Sequence, residues 1–218
     1  MAYLFTQLFK ILAIIFLPFI ALIRGSVYLH EAHGLLPWLS ILGGIGITIV
    51  LMFIYFSFIY GKITGKFGKT GSVKRRAIIA ILVVLLYSLH GLFYISGKNL
   101  KNKQLQSEIL SVHPIVRLSV STLIHIDKSL IITDANRRPE DYRKMGLKSK
   151  SHSLHYKQSN GYSHALDIRT RDKNIVGNFL VQNYFRLMGF RTLKHGGSST
   201  TGEHLHISLM SHDRPYAR

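Results

Sequence analysis

The sequence predicts a two-part fold: three transmembrane α-helices in the first 97 residues, followed by an α+β domain built on a small antiparallel sheet. Three observations predict this fold class. Leu, Ile, Phe and Val dominate the chain up to about residue 97, whereas the composition after it is that of a soluble domain. Apolar segments in the first part are long enough to cross a bilayer. The second part mixes helical and strand-like patterns without regular strand-helix alternation.

The predicted spans lie near residues 8–24, 39–60 and 77–97. The second and third each supply the roughly 20 apolar residues that a helix needs to cross the hydrocarbon core. The first is shorter and has to include apolar residues on both sides of Lys10, so it is also compatible with an amphipathic helix lying in the membrane interface. A cleaved signal peptide is disfavoured because no small-residue cleavage site follows this segment.

The loop between the second and third spans sets the predicted orientation. It contains six basic residues and no acidic one: Lys62, Lys66, Lys69, Lys74, Arg75 and Arg76. Because Lys and Arg near span ends accumulate on the cytoplasmic side, this loop is predicted to be cytoplasmic. Three spans then place the amino terminus inside and everything after residue 97 outside. Residues 98–112 are predicted to form a polar stalk or a helical extension, and residues 113–218 the outward domain.

Hydrophobic periodicity and turn residues predict the elements of the outward domain. The predicted helices begin at Pro114, Pro139 and Asn174, and the predicted strands cover residues 129–135, 162–170, 190–193 and 203–209. A glycine- and serine-rich turn separates the last two strands, and residues 148–161 read as a loop. Such a mixture indicates a small antiparallel sheet with helices packed against it.

Charge and cysteine content restrict the classes of partner and site. The chain has 28 Lys and Arg against 10 Asp and Glu, a net charge of +18, and after residue 97 the counts are 20 and 9, a net +11. This basic surface suits an anionic partner such as a wall polymer or lipid headgroups. No recognition helix or stacking-aromatic strand supports nucleic acid, so none is predicted as a partner. The absence of cysteine excludes disulfides, thiolate zinc sites and a cysteine nucleophile.

Histidines point to a metal site in the outward domain, which holds nine of the twelve. His204 and His206 would project from the same face of a strand, since side chains two apart share a face. His155, His164 and Asp167 form a second group that resembles an oxygen/nitrogen ligand set, for which Zn²⁺ is the leading candidate. Three protein ligands and a water make a hydrolytic zinc site. The alternative is a set of surface histidines on a basic domain.

These segments resemble the metal signature of the superfamily named for lysostaphin, D-Ala-D-Ala metallopeptidases and Hedgehog. The matching segments are Ser153 to Tyr156, Gly161 to Ile168 and His204 to His206, with a weaker match from Thr133 to Arg137. The resemblance implies His155, Asp167 and His206 as zinc ligands and Glu203 as general base. His204 matches the first histidine of the His-x-His branches, so either residue is a candidate base. The resemblance also implies that Arg137, with Arg138, binds substrate or polarises the scissile carbonyl.

The sequence departs from the family pattern in one spacing. Eleven residues separate His155 from Asp167, whereas the family usually has six. His164 lies within the insertion and is expected to contact substrate or the ligands, or to replace His155 as a ligand, while Ser153 belongs to the family's Ser-x-His segment. Arg137 and Arg138 are also compatible with a solvated basic pair.

The resemblance implies a zinc metallopeptidase that acts on peptidoglycan peptides, as a D,D-carboxypeptidase or an endopeptidase. Its place would be the bacterial cytoplasmic membrane, with the domain facing the periplasm or the outside. The alternative is a catalytically inactive zinc-binding envelope domain that recognises wall polymer or a partner protein. The residues favour neither exo nor endo action, and they indicate no oligomeric state.

Overall fold

The computed structural model describes residues 2–65, 70–144, 146, 148, 151–197 and 202–217. Three long helices occupy the first part of the chain: α1 (Ala2–His33), α2 (Pro37–Thr64) and α3 (Thr70–Phe93). All three contain a segment that is long and apolar enough to cross a membrane: Ile14–His33, Pro37–Thr64 and Ser72–Phe93. The prediction of three such helices is therefore confirmed. Lys66 and Lys69 of the basic loop lie outside the described residues.

The apolar segment of α1 lies further along the chain than the predicted 8–24. The helix continues to His33 because its last turns are held by residues near the carboxyl terminus. The backbone N–H of Met210 donates to the Glu31 carboxylate at 3.1 Å, and the backbone carbonyl of His30 lies 3.1 Å from Nε2 of His212. These contacts give the polar end of α1 hydrogen-bond partners that the sequence of the helix itself does not reveal.

The rest of the described chain forms a mixed α+β unit. Its helices are α4 (Leu105–Glu108), α5 (Pro114–Ile126), α6 (Pro139–Lys144) and α7 (Ile175–Met188), and its strands are β1 (Ile132–Asp134), β2 (Ala165–Arg169), β3 (Arg191–His195) and β4 (His204–Ser208). The sheet order is β1-β2-β4-β3, and every neighbouring pair is antiparallel. This confirms the predicted small antiparallel sheet. The glycine- and serine-rich turn lies partly outside the described residues, at positions 198–201.

The two faces of the sheet differ in chemistry. Leu166 and Ile168 of β2 and Leu205 and Ile207 of β4 are buried in the main hydrophobic core. Because successive side chains alternate between faces, the intervening Asp167 and His206 project to the opposite face. The register of β2 and β4 places Asp167 directly opposite His206. One face therefore packs the core, and the other carries polar side chains.

Helix α5 is buried along almost its whole length and joins the two parts of the chain. It begins with Pro114 in its first turn, and residues 114–124 are all buried. Arg117 Nη1 donates to the carbonyl of Leu92 at 3.0 Å, and Tyr87 Oη donates to Thr122 Oγ1 at 2.7 Å. Residues of α1, α2 and α3 share one apolar core with α5 and the sheet. The two parts therefore do not pack as independent units.

Residues 98–112 differ from the predicted stalk. Asn99 Nδ2 donates to the carbonyls of Lys128 and Leu130 at 3.0 and 2.8 Å, and the Lys101 N–H donates to the carbonyl of Ile132 at 2.9 Å. Leu105 and Ile109 are buried in the core. The segment looked like a polar stalk because its charged residues face solvent, while a few apolar residues at irregular spacing fix it to the β1 edge of the sheet.

Candidate metal centre

His155, Asp167 and His206 converge on the polar face of the sheet, as the sequence predicted. His155 Nε2 lies 3.3 Å from Asp167 Oδ1 and 3.2 Å from His206 Nδ1, and His206 Nδ1 lies 2.8 Å from Asp167 Oδ1. All three residues are buried. Their ligand atoms lie within 4.8 Å of one another, which is close enough for one metal ion to contact all three.

A folded-back loop keeps His155 close to the strands despite the lengthened spacing. The Gln158 N–H donates to the carbonyl of Tyr162, and Lys157 pairs with Ser163 in an antiparallel bridge. Gly161 adopts φ of 83° in this turn, a left-handed conformation that favours glycine. The His164 N–H then donates to the carbonyl of Leu154 at 2.8 Å. The extra residues thus form their own turn and leave His155 beside β2.

The coordination geometry of zinc fits these three residues. Zinc bonds of about 2.0–2.1 Å in a tetrahedral arrangement separate ligand atoms by about 3.3 Å. Two of the three separations, 3.3 and 3.2 Å, match this value, and the third is 2.8 Å. His155 Nδ1 lies 2.9 Å from the carbonyl of Ala135, the kind of outer contact that fixes the tautomer of a metal-ligating histidine.

The charges of the cluster are strongly coupled. Burial alone would raise the pKa of Asp167, but the nearby His155 and hydrogen bonds from both histidines hold it well below its usual range. Burial alone would lower the pKa of His155, yet the Asp167 carboxylate outweighs burial and raises it. Burial also lowers the pKa of His206, and its hydrogen bond to Asp167 offsets this only in part. Asp167 is therefore a carboxylate, the form a metal ion requires.

Arg137 binds the oxygen of Asp167 that does not face the two histidines. Its Nη2 donates to Asp167 Oδ2 at 2.8 Å, and its Nε donates to Asp134 Oδ2 at 2.7 Å. The guanidinium also lies over the Tyr142 ring, 5.2 Å from the centroid. Burial would lower the pKa of Arg137, but Asp134 and Asp167 raise it. The structure therefore gives Arg137 two carboxylate partners within the protein, whereas the family resemblance implied that it binds substrate.

Asp134 and Tyr142 are site residues that the sequence did not single out. Asp134 is the last residue of β1 and pairs with Asp167 across the sheet. The Tyr142 hydroxyl lies 2.6 Å from Ser153 Oγ, and Ser153 Oγ accepts the N–H of His155 at 3.3 Å. Ser153 thus braces the segment that carries His155. Asp134 directly precedes Ala135, whose carbonyl contacts His155. Only the folded structure shows this relation, so no sequence pattern identified Asp134.

Two basic clefts flank the cluster on the polar face of the sheet. The first has a volume of about 260 Å³, and its lining residues include Lys101, Asp134, Arg137, Asp167, Arg169, Arg171, Glu203 and His204. The second has a volume of about 470 Å³ and is lined by His206, Ser208, Arg186 and Arg191 among others. Asp167 borders the first cleft and His206 the second. The cluster therefore lies between two openings with arginine-rich walls.

Both candidate bases border the first cleft. Glu203 is exposed and directly precedes β4, and His204 is the first residue of that strand. His204 Nε2 lies 3.7 Å from Asp167 Oδ2, and its Nδ1 lies 2.8 Å from the carbonyl of Gly202. Arg138 is exposed and lines a neighbouring depression with Arg137, while its backbone N–H donates to Asp141 Oδ2 at 2.7 Å. Among the described residues, no hydrogen bond joins the side chain of Arg138 to His155, Asp167 or His206.

His164 was predicted to contact substrate or the zinc ligands; its ring makes no hydrogen bond to His155, Asp167 or His206, and contact with substrate stays a prediction. Its Nδ1 lies 3.1 Å from the carbonyl of Met210, and its Nε2 lies 2.8 Å from Asn160 Nδ2. It belongs instead to a second buried histidine group with His30 of α1 and His113, which caps α5. Alternation explains the difference, because His164 is three residues before Asp167 and therefore faces the other side of the strand.

Hydrogen bonds argue against a metal ion at this second group. His113 Nδ1 accepts the N–H of Ile115 at 3.3 Å, so the proton of the neutral ring lies on Nε2 and blocks that atom as a ligand. His164 Nε2 already accepts from Asn160, whose Oδ1 accepts the Tyr162 N–H. Burial, followed by the neighbouring His164, His30 and Arg117, lowers the pKa of His113 well below its usual range. The group is a set of neutral histidines that joins α1 to the sheet.

The buried neutral state of His164 predicts an acid-sensitive fold. Burial is the main cause that lowers the pKa of His164 to about 4; the neighbouring His30 lowers it further, and the Met210 carbonyl and Asp213 act in the opposite direction. The unfolded chain binds a proton near pH 6.5, so stability falls as pH drops from 6.5 towards 4. For His164 the loss is on the order of 3 kcal/mol. We expect the His164→Gln chain to lose less stability between pH 7 and pH 4.5 than the wild type, measured by thermal unfolding in detergent.

The matched control is His152→Gln, which changes an exposed histidine of the same loop. It should keep the wild-type dependence of unfolding on pH. If His164→Gln and His152→Gln gave the same slope of stability against pH, the assignment of His164 as a buried neutral residue would be contradicted.

Comparison with known proteins adds no family to this geometry. No protein-family model, curated protein or solved structure matches the chain. The resemblance to the lysostaphin, D-Ala-D-Ala metallopeptidase and Hedgehog superfamily therefore remains a prediction from the matching residues.

Proposed function

We propose that this protein is a zinc-dependent peptidase anchored in the bacterial cytoplasmic membrane, acting on peptidoglycan peptides outside it. The observation that carries the proposal is the convergence of His155, Asp167 and His206 within 4.8 Å of one another. Three buried ligands of these types, from one loop and two paired strands, form the ligand set of a hydrolytic zinc centre. The three long apolar helices supply the anchor.

Each residue has a role that follows from its position. His155, Asp167 and His206 hold the metal, which when bound supplies Lewis-acid polarisation and an activated water. Glu203 takes the proton of the attacking water and delivers it to the leaving amine. His204, at the start of the same strand, orients the reacting groups. Arg137 positions Asp167 through its 2.8 Å bond to Oδ2, so that Oδ1 faces the two histidines.

The two clefts suit a substrate that carries carboxylates. Lys101, Arg169 and Arg171 line the first cleft, and Arg186 and Arg191 line the second. Stem peptides of peptidoglycan are extended and anionic, so cations on both sides of the scissile bond would hold them across the cluster. This division into two openings also accommodates a peptide that continues on both sides of the cleaved bond.

Cleavage of purified muropeptides by the full-length chain in detergent tests this proposal. We expect product formation that stops with a chelator and returns with Zn²⁺. Glu203→Gln should lower the rate about 10²–10⁴-fold while zinc binding is kept, because the variant removes a proton acceptor and no ligand. Glu140→Gln, which changes an exposed carboxylate of α6, is the control and should retain full activity. If Glu203→Gln kept wild-type activity, Glu203 would not be the general base.

A second candidate function is a zinc-binding domain that recognises wall polymer or a partner protein without cleavage. The position of Arg137 favours it, since both Asp134 and Asp167 bind that guanidinium, which leaves it less available to a substrate carboxylate. Stoichiometric zinc binding without product from any muropeptide of a panel would support this candidate over the peptidase.

A further inference from the structure

Helix α7 has two apolar faces, and only one of them packs against the protein. Val181, Phe185 and Met188 are buried in the core. On the other side five large apolar residues are exposed: Ile175, Val176, Phe179, Leu180 and Leu187. Each residue of an α-helix advances by about 100°, so these five fall within an arc of about 140°. We call them the outer stripe of α7.

The outer stripe is too apolar for a surface in contact with water. Ile175 is 88 % exposed and Phe179 62 % exposed, and Asn183 and Arg186 are the only polar side chains inside the arc. A contiguous apolar patch of this kind marks a site that is covered by a protein or by lipid. A helix whose apolar face is open while its opposite face is fixed matches the pattern of helices that lie in the plane of a membrane interface.

Contacts with α1 place one end of α7 beside a membrane-spanning segment. Arg24 Nη1 donates to the carbonyl of Leu187 at 3.0 Å. At Gly189, where φ is 101°, a Cβ atom would touch the Val27 side chain. Arg24 lies nine residues before His33, the last residue of the apolar segment, which corresponds to about 13 Å along the helix. The end of α7 therefore lies alongside this segment rather than above it.

The remainder of α7 packs beside α5. The Tyr184 hydroxyl donates to the carbonyl of Ser119 at 2.8 Å, in the middle of α5. Helix α5 in turn crosses the last two turns of α3, where Leu118 contacts Gly91 and Thr122 contacts Tyr87. Before α7 begins, Lys173 pairs with Asp127 at the end of α5. The last turn of α7 thus contacts α1, whereas its middle and the residue before its start contact α5.

We propose that α7 lies in the outer leaflet of the bilayer, with its outer stripe in contact with lipid acyl chains. Helices α1 and α3 also carry large exposed apolar side chains, for instance Phe16 and Leu86. This inference rests on the membrane anchor in the proposed function, and it is independent of the peptidase activity.

Tryptophan quenching in vesicles tests the inference, because Trp38 is the only tryptophan of the chain. In a Trp38→Phe background, Phe179→Trp places a reporter in the stripe, Leu86→Trp places one on the lipid-facing side of α3, and Arg143→Trp places one on the exposed surface of α6. The full-length variants are reconstituted in phosphatidylcholine and phosphatidylglycerol vesicles with and without brominated acyl chains. We expect at least a twofold loss of emission in brominated vesicles for Phe179→Trp and Leu86→Trp. Arg143→Trp should instead be quenched by aqueous iodide.

The three variants separate the possible failures. If Leu86→Trp responds to brominated lipid while Phe179→Trp responds only to iodide, the chain is anchored but α7 is not in the bilayer, and the inference is overturned. If Leu86→Trp also fails to respond to brominated lipid, the anchor of the proposed function fails with it. Leu180→Trp repeats the measurement within the stripe, in case Phe179→Trp does not fold.

Discussion

Replacing His206 by alanine is expected to abolish stoichiometric zinc binding by the full-length chain. His206 Nδ1 lies within 3.2 Å of both His155 Nε2 and Asp167 Oδ1, so its loss leaves two of the three ligands. The loss of affinity should exceed the roughly 10–100-fold effect that is typical when a residue behind the ligands is removed. Zinc content after dialysis, measured by elemental analysis, should fall from about one per chain to near zero.

His204→Ala is the matched control, since it removes a histidine of the same strand that is not one of the three candidate ligands. It should retain about one zinc per chain. Circular dichroism checks that both variants keep the fold, and Asp167→Asn repeats the test at a second ligand. Full zinc content in His206→Ala would show that the metal, if bound, is held elsewhere, and the peptidase proposal would fall with the site.

Replacing Arg137 by alanine should destabilise the fold and weaken zinc binding together. The variant leaves the buried Asp167 and the nearly buried Asp134 without their cation, and breaking a buried pair in this way costs about 3–5 kcal/mol. Loss of the bond that orients Asp167 should reduce zinc affinity about 10–100-fold. Thermal unfolding and competition with a zinc-binding dye measure the two effects.

The substrate-binding role that the resemblance implied makes a different prediction for Arg137. Under that role, the variant would raise KM for carboxylate-bearing peptides and leave both zinc affinity and melting temperature unchanged. Arg143→Ala is the control, because it removes an arginine from an exposed ion pair with Glu140, where only a small effect on stability is expected.

The sequence predicted the elements of the fold better than their packing. Apolar runs revealed three long helices, and the period of two in residues 162–170 and 203–209 located the two strands that hold Asp167 and His206. The burial of α5 against α1, α2 and α3 was not predictable, because its polar residues find partners such as the Leu92 carbonyl only in the folded chain. The same reason explains why residues 98–112 looked like a stalk.

The sequence predicted those residues of the candidate site that belong to the family's motif segments. The resemblance to the superfamily's metal signature implied His155, Asp167 and His206, and the turn at Gly161 explains why the longer spacing does not separate them. The positions of His164 and Arg137 depended on which way each side chain points and on the distant acids that it meets. Asp134 is 33 residues from Asp167 in sequence, and no local pattern connects the two with one guanidinium.

The burial of α5 limits how this protein can be distributed in a cell. A shed, diffusible form cut after α3 would expose the side of α5 that α1, α2 and α3 now cover, and would deprive Arg117 of its acceptor. The polar face of the sheet is therefore held to the three long apolar helices by one shared core, and it cannot be separated from them without exposing apolar surface.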